Sequence, residues 1–228
     1  MASAGHEPVA LDAPGHGAAG DLDLDLVEGG AWLAATGGRA TYVGYSMGGR
    51  LCLHAALARP DLVTGLVLIS ATGGVDDVGE REARRAADEA LADRIEAIGV
   101  PAFLDEWLAQ PLFAGLDVAG QGRAERLANT ARGLASSLRR AGTGTQAPLW
   151  DQLRDLRVPT LVVAGALDAK FVALGERLAA TIPGADLEIV DGAGHTVHLE
   201  RPDAFLDVLV PWLDGHADSP SPMVSSSP

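Results

Sequence analysis

A serine flanked by glycines, Gly44-Tyr45-Ser46-Met47-Gly48, follows one apolar run and precedes a helix-like stretch from Gly49 to Ala58. A serine at a sharp strand-to-helix turn adopts a strained backbone and projects its Oγ above the sheet. The same turn sets the Met47 amide at a helix N-terminus, where partial positive charge stabilises an oxyanion. A hydroxyl at its free pKa is a weak nucleophile and a weak base. It needs an imidazole within hydrogen-bond reach and a carboxylate to orient that imidazole. Gly165-Ala-Leu-Asp168 and Gly192-Ala-Gly-His195 supply the two groups, each directly after a strand-like run. Ser46, Asp168 and His195 are therefore the expected catalytic residues and Met47 the expected oxyanion donor, with Asp191 and His198 as rival carboxylate and imidazole. A side chain at Gly44 or Gly48 is expected to collide with the neighbouring strand or helix. His16, in a turn of small residues, reads as structural, as do His6, His54 and His216.

These groups need a scaffold that brings loops 149 residues apart to one edge. Five short apolar runs alternate with helical patterns, the signature of a parallel sheet covered by helices. They are Val9-Ala-Leu-Asp12, Ala40-Thr-Tyr-Val-Gly44, Gly65-Leu-Val-Leu-Ile-Ser70, Thr160-Leu-Val-Val-Ala-Gly165 and Leu187-Glu-Ile-Val-Asp191. Runs without polar alternation fit strands buried on both faces, and open parallel sheets gather their reactive groups at the C-terminal strand edge. Residues 76–155 are rich in Ala, Arg, Glu and Leu, carry no strand candidate, and read as a helical cap inserted between core segments 1–75 and 156–216. Glu80 to Ile98 is predicted as one long helix that ends at Gly99-Val-Pro101, because proline and the residue before it resist helical continuation. The tail 217–228, with Ser-Pro repeats, lacks the apolar content to pack and is expected to be disordered.

Strand, Gly-x-Ser-x-Gly, strand, helical cap, strand ending in Asp, strand and Gly-His, in that order, resembles the α/β-hydrolase fold over nearly the whole chain. Further segments narrow the likeness. Gly44-Tyr-Ser-Met-Gly-Gly-Arg50, Arg84 and Asp88 one helical turn apart, Trp107-Leu-Ala-Gln-Pro-Leu-Phe113, Gly142-Thr-Gly-Thr-Gln-Ala-Pro-Leu-Trp150 and Asp168-Ala-Lys-Phe171 resemble the 2-succinyl-6-hydroxy-2,4-cyclohexadiene-1-carboxylate synthases of menaquinone biosynthesis. The resemblance implies a lyase. The serine, activated by histidine, abstracts a proton from a succinylated cyclohexene substrate, and pyruvate is eliminated without any cofactor or metal. It also implies that Tyr45, Arg50, Arg84, Trp107 and Lys170 contact substrate.

Elementary chemistry agrees in one respect, since a substrate with several carboxylates needs guanidinium clamps. Other readings stay open: Arg50 as a surface helix residue, Arg84 as one of several exposed arginines with Arg81 and Arg85, Lys170 facing solvent, Trp107 as core packing. An ester or carbon–carbon bond hydrolase using the same three residues, and a non-catalytic relative, are the competing functions.

The 228 residues carry 17 Lys+Arg against 31 Asp+Glu, a formal charge of -14 that argues against nucleic acid and acidic membrane surfaces as partners. With no apolar run near the ~20 residues of a membrane span and no signal-peptide pattern, the chain reads as cytoplasmic. The single cysteine, Cys52, sits in an apolar stretch and reads as a small core residue. Only 45 residues precede Ser46, too few for three further strands of ~5 residues with their helices. The expected fold is thus an N-terminally truncated α/β-hydrolase-like sheet, without the strand and His-Gly loop that by resemblance give the second oxyanion amide. The Val9 run should then lie apart from the Thr41 run or slide in to pair with it.

Overall fold

The computed structural model describes residues 5–116 and 121–216. Four strands form one parallel sheet in the order β1-β2-β3-β4: β1 Ala40–Tyr45, β2 Val63–Ile69, β3 Thr160–Gly165 and β4 Asp186–Val190. In β2 and β3 successive side chains serve opposite cores. Leu66, Leu68 and Val162 join one cluster, whereas Val67, Ile69, Leu161 and Val163 join the other. This double burial is why those runs show no polar alternation. The first cluster is closed by α1 (Leu26–Gly37), α2 (Met47–Ala58) and α7 (Ala169–Thr181), the second by α9 (Pro202–His216). Cys52 is buried in the first, and its thiol is pushed up to about 12 by that burial, so it acts as a small apolar residue.

Val9 to Asp12 is not a strand, which corrects the five-strand expectation to four among the described residues. Val9 is 75% exposed and Leu11 37%, so the run buries too little apolar surface to be held flat, and it lies without a ladder partner. Its ends are fixed by side chains instead: His6 Nε2 bonds Asp214 Oδ1 at 3.0 Å, and Asp12 Oδ2 accepts from the Ala18 amide at 2.8 Å.

Between β2 and β3 the chain is helical: α3 Val78–Leu108, α4 Arg123–Arg126, α5 Ala131–Ala141 and α6 Trp150–Leu153. The long helix breaks where proline and glycine predict, with Gly99 at φ 76° and ψ 164°, but it resumes from Pro101 to Leu108 because proline is well suited to a helix's first turn. Arg139 on α5 reaches Glu89, Asp93 and Glu96 on α3 at 2.6 to 2.9 Å, tying the two long cap helices together. The expected disordered tail, 217–228, lies outside the described residues.

Candidate active site

Ser46 stands between β1 and α2 with φ 50° and ψ -109°, a left-handed conformation that a non-glycine residue adopts only under constraint. The constraint is visible on both sides. The Ser46 amide donates to Ile69 O at 2.8 Å, continuing the sheet ladder, and its carbonyl accepts from the Arg50 amide at 3.1 Å, opening α2. A Cβ on Gly44 would lie 2.5 Å from the Gly48 backbone, and one on Gly49 would lie 2.6 Å from Ala71 Cβ. Gly48, by contrast, faces open space, so the expectation of a clash there is corrected: the turn needs Gly44 and Gly49. Ser46 makes no capping bond with its own side chain, which leaves Oγ free, and Met47 supplies the first amide of the helix beyond it.

The loops after β3 and β4 are stitched to each other. Ala166 N donates to Val190 O at 3.0 Å and Leu167 N to Ala193 O at 2.9 Å. Asp168 caps α7, accepting from Phe171 N at 3.3 Å through Oδ1, and its Oδ2 is left for His195 Nδ1 at 2.9 Å. His195 Nε2 is 3.3 Å from Ser46 Oγ. All three predicted residues thus converge at the C-terminal strand edge, and Nδ1–H donates to the carboxylate, leaving Nε2 as the acceptor for the hydroxyl proton. Phe171 and Tyr45 pack on the imidazole, with ring centroids 4.4 and 5.2 Å away. Burial pulls the His195 pKa below its ordinary value despite the hydrogen bond and charge of Asp168, so the ring is neutral at pH 7. His198, the rival, instead packs on Tyr45 with 4.8 Å between ring centroids, and Asp191 lies exposed in the loop before His195.

Two chambers meet at Ser46, Arg50, Arg84 and Thr143. One, of about 400 Å³, is walled by polar and charged groups including Ser70, Thr72, Lys170 and Arg177. The other, of about 340 Å³, is walled by Tyr45, Phe103, Trp107 and Phe113 along with apolar aliphatic side chains. Arg50 is 6% exposed, which removes the surface-helix reading. Its Nη1 donates to Ala141 O at 2.8 Å and Gln146 Oε1 at 3.4 Å, and among the described residues no carboxylate forms an ion pair with it. Burial, then the neighbouring Arg84 charge, lowers its pKa to about 10, leaving it a cation at neutral pH. Arg84 is half-exposed, its Nε donating to the buried Asp88 at 2.8 Å. Trp107 stacks on Phe103 and lies tilted against Phe113, with ring centroids 5.7 Å away in each case, so it is both packing and chamber wall. Lys170 is exposed at the rim of the polar chamber.

His16 makes the turn contact expected of a structural residue and also lines a chamber. Nδ1 donates to Pro14 O at 3.2 Å, but the ring also faces the aromatic chamber, together with Arg126 and Asn129. Nothing in the sequence near His16 marks this, because the residues that share the chamber come from the serine turn and from the helices between β2 and β3.

Residues 1–208 match the alpha/beta hydrolase family. Among curated relatives, a provisionally named 2-succinyl-6-hydroxy-2,4-cyclohexadiene-1-carboxylate synthase of Bacillus subtilis (strain 168) is 40% identical over 176 residues, covering 75% of this chain and 64% of that protein. The chain thus spans somewhat less than two thirds of that relative. The synthase of the same name from Serratia proteamaculans (strain 568) is 35% identical over 208 residues, covering 86% of this chain and 79% of that protein. Among solved structures, MenH from S. aureus superposes with a TM-score of 0.85 at 31% identity, covering 91% of this chain and 83% of that one.

Proposed function

The chain belongs to the alpha/beta hydrolase family, and from that premise we propose that it is a carbon–oxygen lyase of menaquinone biosynthesis that eliminates pyruvate from a succinylated cyclohexene carboxylate. His195 Nε2 takes the Ser46 hydroxyl proton as Ser46 Oγ takes a proton from the substrate carbon. The electron pair left on carbon goes into the ring's new double-bond system as the carbon–oxygen bond to the three-carbon acid breaks. The proton held on His195 passes to the departing oxygen, and the three-carbon acid leaves as an enol that becomes pyruvate. Asp168 holds the imidazole tautomer and offsets its charge while it is protonated. The Met47 amide, at the start of α2, faces the oxygen on which negative charge accumulates.

The observation that carries this reading over simple ester hydrolysis is Arg50. A buried guanidinium that no carboxylate among the described residues pairs with directly, and that the Asp88 charge offsets only from a distance, is costly unless an anion completes it. It lies four residues beyond Ser46, where the two chambers meet, so a carboxylate-bearing substrate supplies that anion next to the reacting carbon. Arg84 offers a second cation, Lys170 a third at the rim, and Tyr45 and Trp107 flat walls for the ring. The compartment we assign is the cytoplasm. Among the described residues no helix is long and apolar enough to cross a membrane, and the one cysteine is buried.

Incubating the purified chain with the pathway substrate and assaying pyruvate, beside aryl esters assayed for phenol release, separates the two chemistries. Pyruvate without ester cleavage is the expected result. Efficient ester cleavage without pyruvate would establish the hydrolase alternative instead.

A further inference from the structure

Glu200 ends α8 (Val197–Glu200), five residues after His195, and its carboxylate turns back onto the loop that carries the imidazole. Oε2 accepts from the Gly194 amide at 2.7 Å, and Oε1 accepts from the Thr196 amide at 2.9 Å and the Thr196 hydroxyl at 2.6 Å. The two amides flank His195, so one side chain fixes the peptide on either side of it. The His195 carbonyl between those amides is fixed from the sheet: the Ser70 hydroxyl donates to His195 O at 2.8 Å, from a residue that is 1% exposed and held at φ 48°. On the opposite side, the cap residue Gly115 lies so close to the Glu200 carboxylate that a Cβ there would overlap it.

We propose that Glu200 is a positioning residue for the base: its carboxylate, bracing the amides of Gly194 and Thr196, sets the backbone from which His195 reaches both Ser46 and Asp168. Charge-assisted bonds to two amides and a hydroxyl are strong and directional, and their geometry lets the loop occupy one arrangement. The bond from Leu167 N to Ala193 O and the burial of Ala193 anchor the start of the loop, but they do not fix the amides on either side of His195. Gly192, with φ 68°, and Gly194 bracket Ala193, and a glycine-rich segment does not hold a side chain within a few tenths of an ångström unaided. Burial works to raise the Glu200 carboxyl, yet the bonds from Thr196 and Gly194 hold it below the usual range, favouring the charged form. It never touches the chambers and acts only through His195.

Glu200→Gln keeps the volume but replaces one acceptor oxygen with a donor that faces an amide. Glu200→Asp keeps the charge but cannot reach both amides. Both variants are to be compared with wild type by melting, by steady-state pyruvate release, and by NMR titration of the His195 ring nitrogens, which requires no substrate and so stands whichever reaction the enzyme performs. The charged and titratable groups around that ring are Asp168, Lys170, His198 and Glu200, with Tyr45 and Ser46 from the elbow. Cooperative melting, KM within about twofold, kcat lower by on the order of 10- to 100-fold, and in Glu200→Gln a His195 pKa displaced further downward are expected. Unchanged kcat and an unchanged His195 titration in a folded Glu200→Gln would overturn the proposal. Loss of the cooperative transition in both variants would overturn it as well, because the carboxylate would then hold the fold rather than the base.

Discussion

His195 must be neutral to accept the Ser46 proton, and burial holds its pKa below 6.5. Activity therefore falls only as pH drops through that lowered value, and kcat/KM should be flat around neutrality with an acid limb below 6.5. A limb centred above 6.5 would contradict the buried imidazole. Asp168→Asn should lower kcat by about 10³–10⁴, as expected when the partner of Nδ1 no longer fixes the tautomer. The two arginines call for different tests. Truncating Arg50 would leave Ala141 O and Gln146 Oε1 buried without a donor, costing about 1–3 kcal/mol of stability besides any substrate contact. Arg84 is the cleaner probe: Arg84→Lys keeps a cation beside Asp88 but loses the planar fork that grips a carboxylate in two places. Parallel kinetics and melting should show KM raised several-fold with little change in Tm, and equal losses of both would assign Arg84 to the cap's structure. At this scale the sequence was legible where a motif carries its own mechanism. Ser46 could be read from its glycines, and Asp168 and His195 from the strand ends before them. Ser70 could not, since the His195 carbonyl that it bonds is 125 residues away, and neither could the place of His16 in the chamber wall. Glu200 was nearer to being readable, an acidic residue one helical turn past Thr196, but only the folded loop reveals that it reaches back around His195.

The elements position these groups through close backbone approach more than through side-chain interlock. Gly44 lies against the Gly48 backbone where β1 passes into α2, so Gly44→Ala forces the strand and the helix apart at the elbow itself. Overpacking of this kind typically costs about 1–3 kcal/mol, and because Ser46 is two residues away, activity should fall by more than the melting temperature implies. Gly48→Ala, which meets open space, serves as the control and should melt near wild type. Measuring both variants by thermal unfolding and turnover checks the distinction, and identical behaviour would contradict it. The four observed strands were legible because β2 and β3 are apolar on both faces and β1 leads straight into the serine turn. The Val9 run has a similar local composition and is not a strand. Strand formation there depends on a ladder partner and a surface to cover, neither of which four residues encode. The break at Gly99 was equally plain, but the helix that resumes from Pro101 was not, since a proline that ends one helix also suits the start of another.

For the whole molecule, the sheet leaves β1 paired on one side only among the described residues, with Val43 44% exposed. An unpaired strand edge with an exposed valine is a template for pairing with a second copy. The 228-residue chain should therefore associate as its concentration rises, and Val43→Lys should suppress this without loss of activity. Sedimentation velocity across a concentration series checks it, and a monomer at every concentration would contradict it. The central claim is that Ser46, through His195, begins the elimination of pyruvate from a carboxylate-bearing ring. Its most direct test is the rate of pyruvate release from the pathway substrate by wild type and by Ser46→Ala at equal concentration. The account predicts sustained release by the wild type and a rate at least about 10³-fold lower in the variant. Equal rates from the two proteins, or no pyruvate from the wild type, would contradict it.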